Sequence, residues 1–152
     1  MNRRRPLALY LVPVVATGLV AAGLVVAKPQ PKKIEPAVVP GTALCTKTAP
    51  SGKAWVTILT QGENAFLARL ELAAGASVPE HRDATEEYIH VLQGSGTMHI
   101  DGEAYEVGPG STVLMPAHAL VSFQNGKEHL VAMQVFAGPE PAKKYASWKG
   151  CE

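Results

Sequence analysis

The sequence predicts an all-β domain, built as an antiparallel sandwich or barrel, that follows an apolar N-terminal segment. Short segments rich in β-branched and aromatic residues recur at regular spacing, and turn-forming residues separate them. No convincing amphipathic helix lies between these segments. The 14 Gly and 12 Pro among 152 residues suit a turn-rich β protein, and the length fits one domain.

Charge and cysteine content exclude several classes of protein. The 14 Lys and Arg nearly balance the 13 Asp and Glu, so the chain offers no broad basic surface for nucleic acid. A hydrophobic content of 47% argues against a wholly disordered chain. The two cysteines are too few for a disulfide scaffold or a four-thiolate zinc site.

Residues 1–27 are predicted to form a signal peptide or a membrane anchor, helical in either case. Arg3, Arg4 and Arg5 precede an uncharged stretch at 7–26, and a basic start before an apolar run is typical of secretory signals. The same 20 residues are long enough to span a bilayer. Both alternatives stay open, and both predict an exported protein, periplasmic or extracytoplasmic, that is either released or anchored in the membrane.

Residues 28–50 are predicted to be a Pro-rich linker, because four prolines and alternating charges lie at 28–41, after the apolar run. Cys45 lies in this linker, and Cys151 lies in a polar C-terminal tail at 139–152. Export would favour a disulfide between these two residues, and the alternative is a pair of unpaired thiols.

Residues 51–138 are predicted to form the β-domain. Asp101 and Gly102 give a strong two-residue hairpin signal between two of its strands. The pattern indicates eight or nine short strands, with segments at 55–60, 66–72, 86–93, 97–100, 103–107, 111–115, 120–124 and 129–136.

The stretch GASVPEHRDATEEYIHVLQG carries a spaced motif. It resembles the first motif of the cupin superfamily, in which a Gly is followed by two His, a Glu and a second Gly. Gly75, His81, Glu87 and Gly94 match that motif, and Asp83 stands at the second His position.

The stretch GSTVLMPAHALVSFQN is similar to the second cupin motif. Gly110, Pro116 and Asn125 match it. His118 stands where the motif has Gly, and Val121 stands where it has His. The resemblance covers about residues 55–137 and implies the cupin double-stranded β-helix, a jelly-roll barrel of two antiparallel sheets.

The resemblance also implies a metal position inside the barrel, where cupins present three His and one Glu to a transition metal. Here His81, Asp83 and Glu87 remain, and Val121 cannot ligate. One imidazole and two carboxylates suit Fe or Mn better than Cu or Zn. His118 is the nearby fourth candidate, although its turn position directs it toward the rim. The alternative for the three residues is a polar pocket without metal, with His81 hydrogen-bonded to one of the carboxylates.

Two functions follow from this set. The first is a small-molecule binding or sensing module with a degenerate metal site, whose ligand would be a small apolar molecule with one polar group. The second is an Fe- or Mn-dependent enzyme of dioxygenase or isomerase type. A homodimer is compatible with both. The predicted cavity or core positions are Ile89, Val91, Val113, Met115, Val121 and Phe123.

Overall fold

Ten strands form two antiparallel sheets in the computed structural model, which describes residues 35–150. The strands are β1 (Cys45–Thr48), β2 (Ala54–Gln61), β3 (Phe66–Leu72), β4 (Ser77–His81), β5 (Glu87–Gln93), β6 (Gly96–Ile100), β7 (Glu103–Val107), β8 (Thr112–Met115), β9 (Val121–Asn125) and β10 (Leu130–Phe136). One sheet has the order β1-β2-β3-β10-β5-β8, and the other has the order β4-β9-β6-β7. The all-β jelly roll predicted from the sequence is therefore confirmed.

Each of the eight predicted segments lies within one residue of an observed strand at both ends. The hairpin between β6 and β7 is also confirmed, because Asp101 and Gly102 have φ angles of 49° and 92°. Positive φ at both central residues is the requirement of a type I′ turn, which Gly meets without strain and Asp tolerates.

Two strands were not predicted. β1 lies inside the stretch assigned to the linker, next to a short 3₁₀ turn at Gly41–Ala43. β4 contains Pro79, and a proline argues against a strand in the middle of a sheet. It is tolerated here because β4 is the edge strand of its sheet.

The core lies between the sheets, where alternate side chains of facing strands meet. β10 shows this alternation along its whole length, with Leu130, Ala132, Gln134 and Phe136 turned inward and buried. A larger apolar cluster draws on strands of both sheets. A smaller cluster joins Phe66 and Phe136 to residues of the C-terminal segment.

The C-terminal segment packs onto the barrel as a 3₁₀ helix, Glu140–Ser147, where the sequence indicated a polar tail. Tyr145 is only 4% exposed, and its ring lies 5.9 Å from that of Phe66 and 4.9 Å from that of Trp148. Backbone hydrogen bonds in both directions then join Lys149 to Thr48 at the end of β1.

The predicted signal or anchor helix, residues 1–27, lies outside the described residues. Within residues 35–150, no helix has the length and apolar character to cross a membrane. Cys45 is disulfide-bonded, and Cys151, its predicted partner, lies outside the described residues.

Candidate functional site

A cavity of about 610 Å³ opens between the two sheets. Its walls are mainly apolar, and polar side chains from β4, β5, β10 and the C-terminal helix meet at one place in it. The cavity is lined by all six apolar residues predicted for it, each of them buried: Ile89, Val91, Val113, Met115, Val121 and Phe123.

His81 is the last residue of β4 and is half-buried. Its Nδ1 lies 2.9 Å from the backbone oxygen of Pro79, which can only accept a hydrogen bond, so Nδ1 donates. In the neutral ring the Nε2 lone pair is then free to bind another group. Nε2 lies 3.7 Å from Asp83 Oδ2, too far for a hydrogen bond. The hydrogen bond to a carboxylate considered from the sequence is therefore replaced by one to the backbone.

Asp83 reaches the cavity from the loop after β4 and not from the strand, which ends at His81. Both side chains nevertheless line the same cavity. The loop is held by a hydrogen bond from the His118 backbone N–H to the Asp83 backbone oxygen, 2.8 Å. The Asp83 carboxylate binds Lys144, whose Nζ lies 2.9 Å from Oδ2 and 3.2 Å from Oδ1.

Glu87 opens β5 and is 6% exposed. Gln134 Nε2 donates to Glu87 Oε1 at 2.6 Å, and the Tyr145 hydroxyl donates to Gln134 Oε1 at 3.0 Å. Burial raises the pKa of Glu87 to about 7; the Gln134 hydrogen bond and the Lys144 charge lower it, and the Asp83 charge adds a small increase. Burial likewise raises the pKa of the Tyr145 hydroxyl above its ordinary value. Tyr145 is thus a hydrogen-bond donor that orients Gln134 toward the carboxyl.

His81, Asp83 and Glu87 form a group that could hold a metal ion. Each offers one ligand atom, and these atoms lie within 4.8 Å of one another. The free Nε2 and the two carboxylates have the chemistry that Fe²⁺ or Mn²⁺ requires. The residues therefore fit a hard divalent cation in type and spacing. The Asp83 carboxylate, however, already binds the ammonium of Lys144.

The structure does not bring His118 to this group. Its side chain is exposed, its φ is 65°, and its backbone oxygen accepts a hydrogen bond from Arg82. Val121 is the register partner of His81 and is 4% exposed. An apolar side chain thus faces the cavity at the position where the cupin motif has its third His.

Three residues of the site were not predicted from the sequence: Gln134, Lys144 and Tyr145. Gln134 had a signal, because it shares the inward face of β10 with three apolar residues. A polar residue at such a position is a candidate for a buried network. Lys144 had none, since nothing in the polar tail indicates which lysine meets a carboxylate 61 residues away.

The other three histidines, His90, His99 and His129, lie apart from the cavity. His90 and His99 are exposed, and His90 Nδ1 pairs with Thr112 Oγ1 at 2.8 Å. His129 Nε2 lies 2.9 Å from Glu71 Oε2. None of the three lines the cavity.

The chain is similar to known proteins in sequence pattern and in fold. A family model described as a cupin domain matches residues 68–136, which run from within β3 to the end of β10 and include His81, Asp83 and Glu87. No curated protein matches the chain.

Several solved structures share the fold. A predicted oxalate decarboxylase from Thermotoga maritima superposes with a TM-score of 0.60 at 22% identity, covering 67% of this chain and 99% of that one. An RmlC-like cupin from Shewanella frigidimarina gives a TM-score of 0.56 at 14% identity, covering 60% and 82%. KdgF from a Halomonas species gives 0.56 at 16% identity, covering 60% and 84%. At such identities the likeness concerns the fold alone.

Proposed function

We propose that this chain, which matches a cupin-domain family model over residues 68–136, is an exported module that binds a small organic molecule in its barrel. The observation that carries this proposal is the cavity of about 610 Å³, whose mainly apolar walls include a connected cluster of polar side chains. Such sites take a largely apolar ligand and orient it through a few polar contacts. Lys144, Gln134 and Tyr145 supply donors in this cluster, and Asp83 and Glu87 supply acceptors.

A fluorescent probe tests this proposal. N-phenyl-1-naphthylamine is apolar, carries one amine and brightens in dry surroundings, so we expect stoichiometric, micromolar binding to the purified protein. Val113→Trp should abolish binding by filling the cavity, because Val113 is 9% exposed and lines it. Leu114→Trp is the matched control, since its neighbouring position is 52% exposed on the outer face. Equal probe binding by both variants, or none by the wild type, would contradict the proposal.

A second candidate is an Fe- or Mn-dependent enzyme of dioxygenase or isomerase type. It is favoured by the convergence of the His81, Asp83 and Glu87 ligand atoms within 4.8 Å and by the free Nε2 of His81. A bound metal would supply Lewis-acid or redox chemistry to a substrate in the cavity. Val121 and the Asp83–Lys144 pair favour the binding module over this enzyme.

Metal analysis of untagged protein separates the two candidates. The enzyme predicts one Fe or Mn per chain, lost in His81→Ala and in Glu87→Ala. The binding module predicts less than stoichiometric metal in the wild type while the naphthylamine still binds.

Export is the third element of the proposal. It is supported by the basic start and the apolar stretch at 7–26, and by the disulfide at Cys45, since disulfides persist in oxidising compartments. The mass of the mature protein tests it. A chain that begins at Lys28 indicates a cleaved signal, a full-length chain in the membrane fraction indicates an anchor, and a full-length chain in the cytosol overturns export.

A further inference from the structure

Lys144 brings a positive charge to the cation position of the cavity. Its ammonium contacts both oxygens of Asp83, at 2.9 and 3.2 Å. The same nitrogen lies 4.9 Å from the ring centre of Phe136 and 5.7 Å from that of Tyr145. A carboxylate together with two aromatic faces is an environment that attracts a cation.

The chain is anchored to the barrel directly after Lys144. Tyr145 is buried and donates to Gln134, which in turn binds Glu87. Beyond it, Trp148 packs edge-on against Tyr145 and Lys149 pairs with β1. These contacts hold the base of the lysine side chain next to Asp83, so the ammonium is kept near the carboxylate even while it exchanges with water.

A divalent metal at the three-residue group needs the same Asp83 carboxylate. It would have to displace the ammonium, which would stay tethered close by and repel the incoming charge. One of the three candidate ligands is thus already paired with a side chain of the protein.

We propose that Lys144 is a built-in cation that fills the metal position of this cavity and so determines which ligands the protein accepts. This inference rests on the proposed function and makes it more specific. The cavity of the wild type takes an organic ligand beside an intact Asp83–Lys144 pair, and loss of this one charge exposes a divalent-metal site made of His81, Asp83 and Glu87.

The test is a titration with Mn²⁺, followed by calorimetry and by the electron paramagnetic resonance signal of bound Mn²⁺. Lys144→Met keeps a long apolar side chain over Phe136 and removes the charge, so we expect Mn²⁺ to bind at one equivalent and about tenfold or more tighter than to the wild type. Lys144→Arg keeps the charge and should bind as weakly as the wild type. Lys143→Met is the matched control, because this neighbouring lysine lies outside the cavity lining.

A second substitution locates the new site. Adding His81→Ala to Lys144→Met should return Mn²⁺ affinity to the wild-type level, whereas a site elsewhere would keep the gain. Wild-type protein that binds Mn²⁺ as tightly as Lys144→Met would overturn the inference, as would a folded Lys144→Met protein without any gain. If Lys144→Met does not fold, Lys144→Gln serves in its place and the same comparison decides.

The naphthylamine probe keeps this inference separate from the proposed function. Probe binding without a gain in metal affinity refutes the role of Lys144 and leaves the binding module standing. Absence of probe binding refutes the module, whatever the metal titration shows.

Discussion

His81 and Val121 are register partners across β4 and β9, so an imidazole and an isopropyl group stand side by side at the cavity. Paired residues of neighbouring strands project to the same face of a sheet. Val121 therefore occupies a position from which a longer polar side chain would reach the His81, Asp83 and Glu87 group.

Val121→His is expected to add a second imidazole to that group and to shift its preference from Mn²⁺ toward Zn²⁺. Burying an imidazole without a partner should lower the free energy of unfolding of the metal-free protein by about 1–3 kcal/mol, and bound Zn²⁺ should restore it. Thermal unfolding with and without Zn²⁺ measures both effects. Gln124→His, at an exposed position of the same strand, should show neither. A variant that Zn²⁺ does not stabilise would contradict the proposed orientation of residue 121.

Gln134→Leu is expected to destabilise the protein by about 1–3 kcal/mol, because it removes the partner of both the Glu87 carboxyl and the Tyr145 hydroxyl in a buried place. Urea unfolding measures the change. Gln93→Leu, on an exposed position of β5, should stay within about 0.5 kcal/mol of the wild type. Equal effects of the two changes would mean that the buried network contributes little.

The raised pKa of Glu87 predicts that the stability of the folded protein depends on pH. Its pKa is raised from 4.5 to about 7 on folding, so the folded state holds a proton that the unfolded state releases between these values. Binding of this proton stabilises the folded state fully below about pH 4.5, and the stabilisation is lost as the pH rises through about 7. The complete effect on the free energy of unfolding is about 3 kcal/mol.

Glu87→Gln should remove this slope and exceed the wild type in unfolding free energy at pH 8, with little difference at pH 4.5. Denaturant unfolding at several pH values measures the effect. Glu63→Gln, which changes an exposed loop carboxylate, should retain the wild-type slope. A wild-type curve that is flat between pH 5 and 8 would count against burial as the dominant influence on Glu87.

Gly94 and Gly110, which both match the cupin motifs, differ in why a glycine is needed. Both have positive φ, 79° and 86°, so alanine is strained at either place. Only at Gly94 would a Cβ also collide, coming within 2.7 Å of the His129 backbone oxygen. We expect Gly110→Ala to lower the unfolding free energy by about 1 kcal/mol, and Gly94→Ala by roughly 1–3 kcal/mol more. Equal losses in thermal or urea unfolding would contradict the backbone contact.

The sequence sufficed for most of the barrel because its strands alternate or end at strong turn residues such as Asp101 and Gly102. It failed at β4, where Pro79 is compatible with a strand because it lies on an edge strand and within a shift of the strand register. Edge position depends on the order of strands in the sheet, which local pattern does not encode.

The candidate site likewise contains residues that the sequence predicts and residues that it does not. His81, Asp83 and Glu87 lie close together in the chain, and a motif spacing was enough to single them out. Lys144 meets Asp83 only after the chain has crossed the barrel and folded back. Long-range pairs of this kind follow from tertiary packing, and a single sequence carries no periodic trace of them.

The last helix, Glu140–Ser147, supplies part of the cavity wall, including Pro141 and Lys144. Under the proposed function, this helix therefore takes part in ligand choice separately from the barrel. An exchange of that short stretch for one of different charge would retune the pocket while leaving every strand untouched.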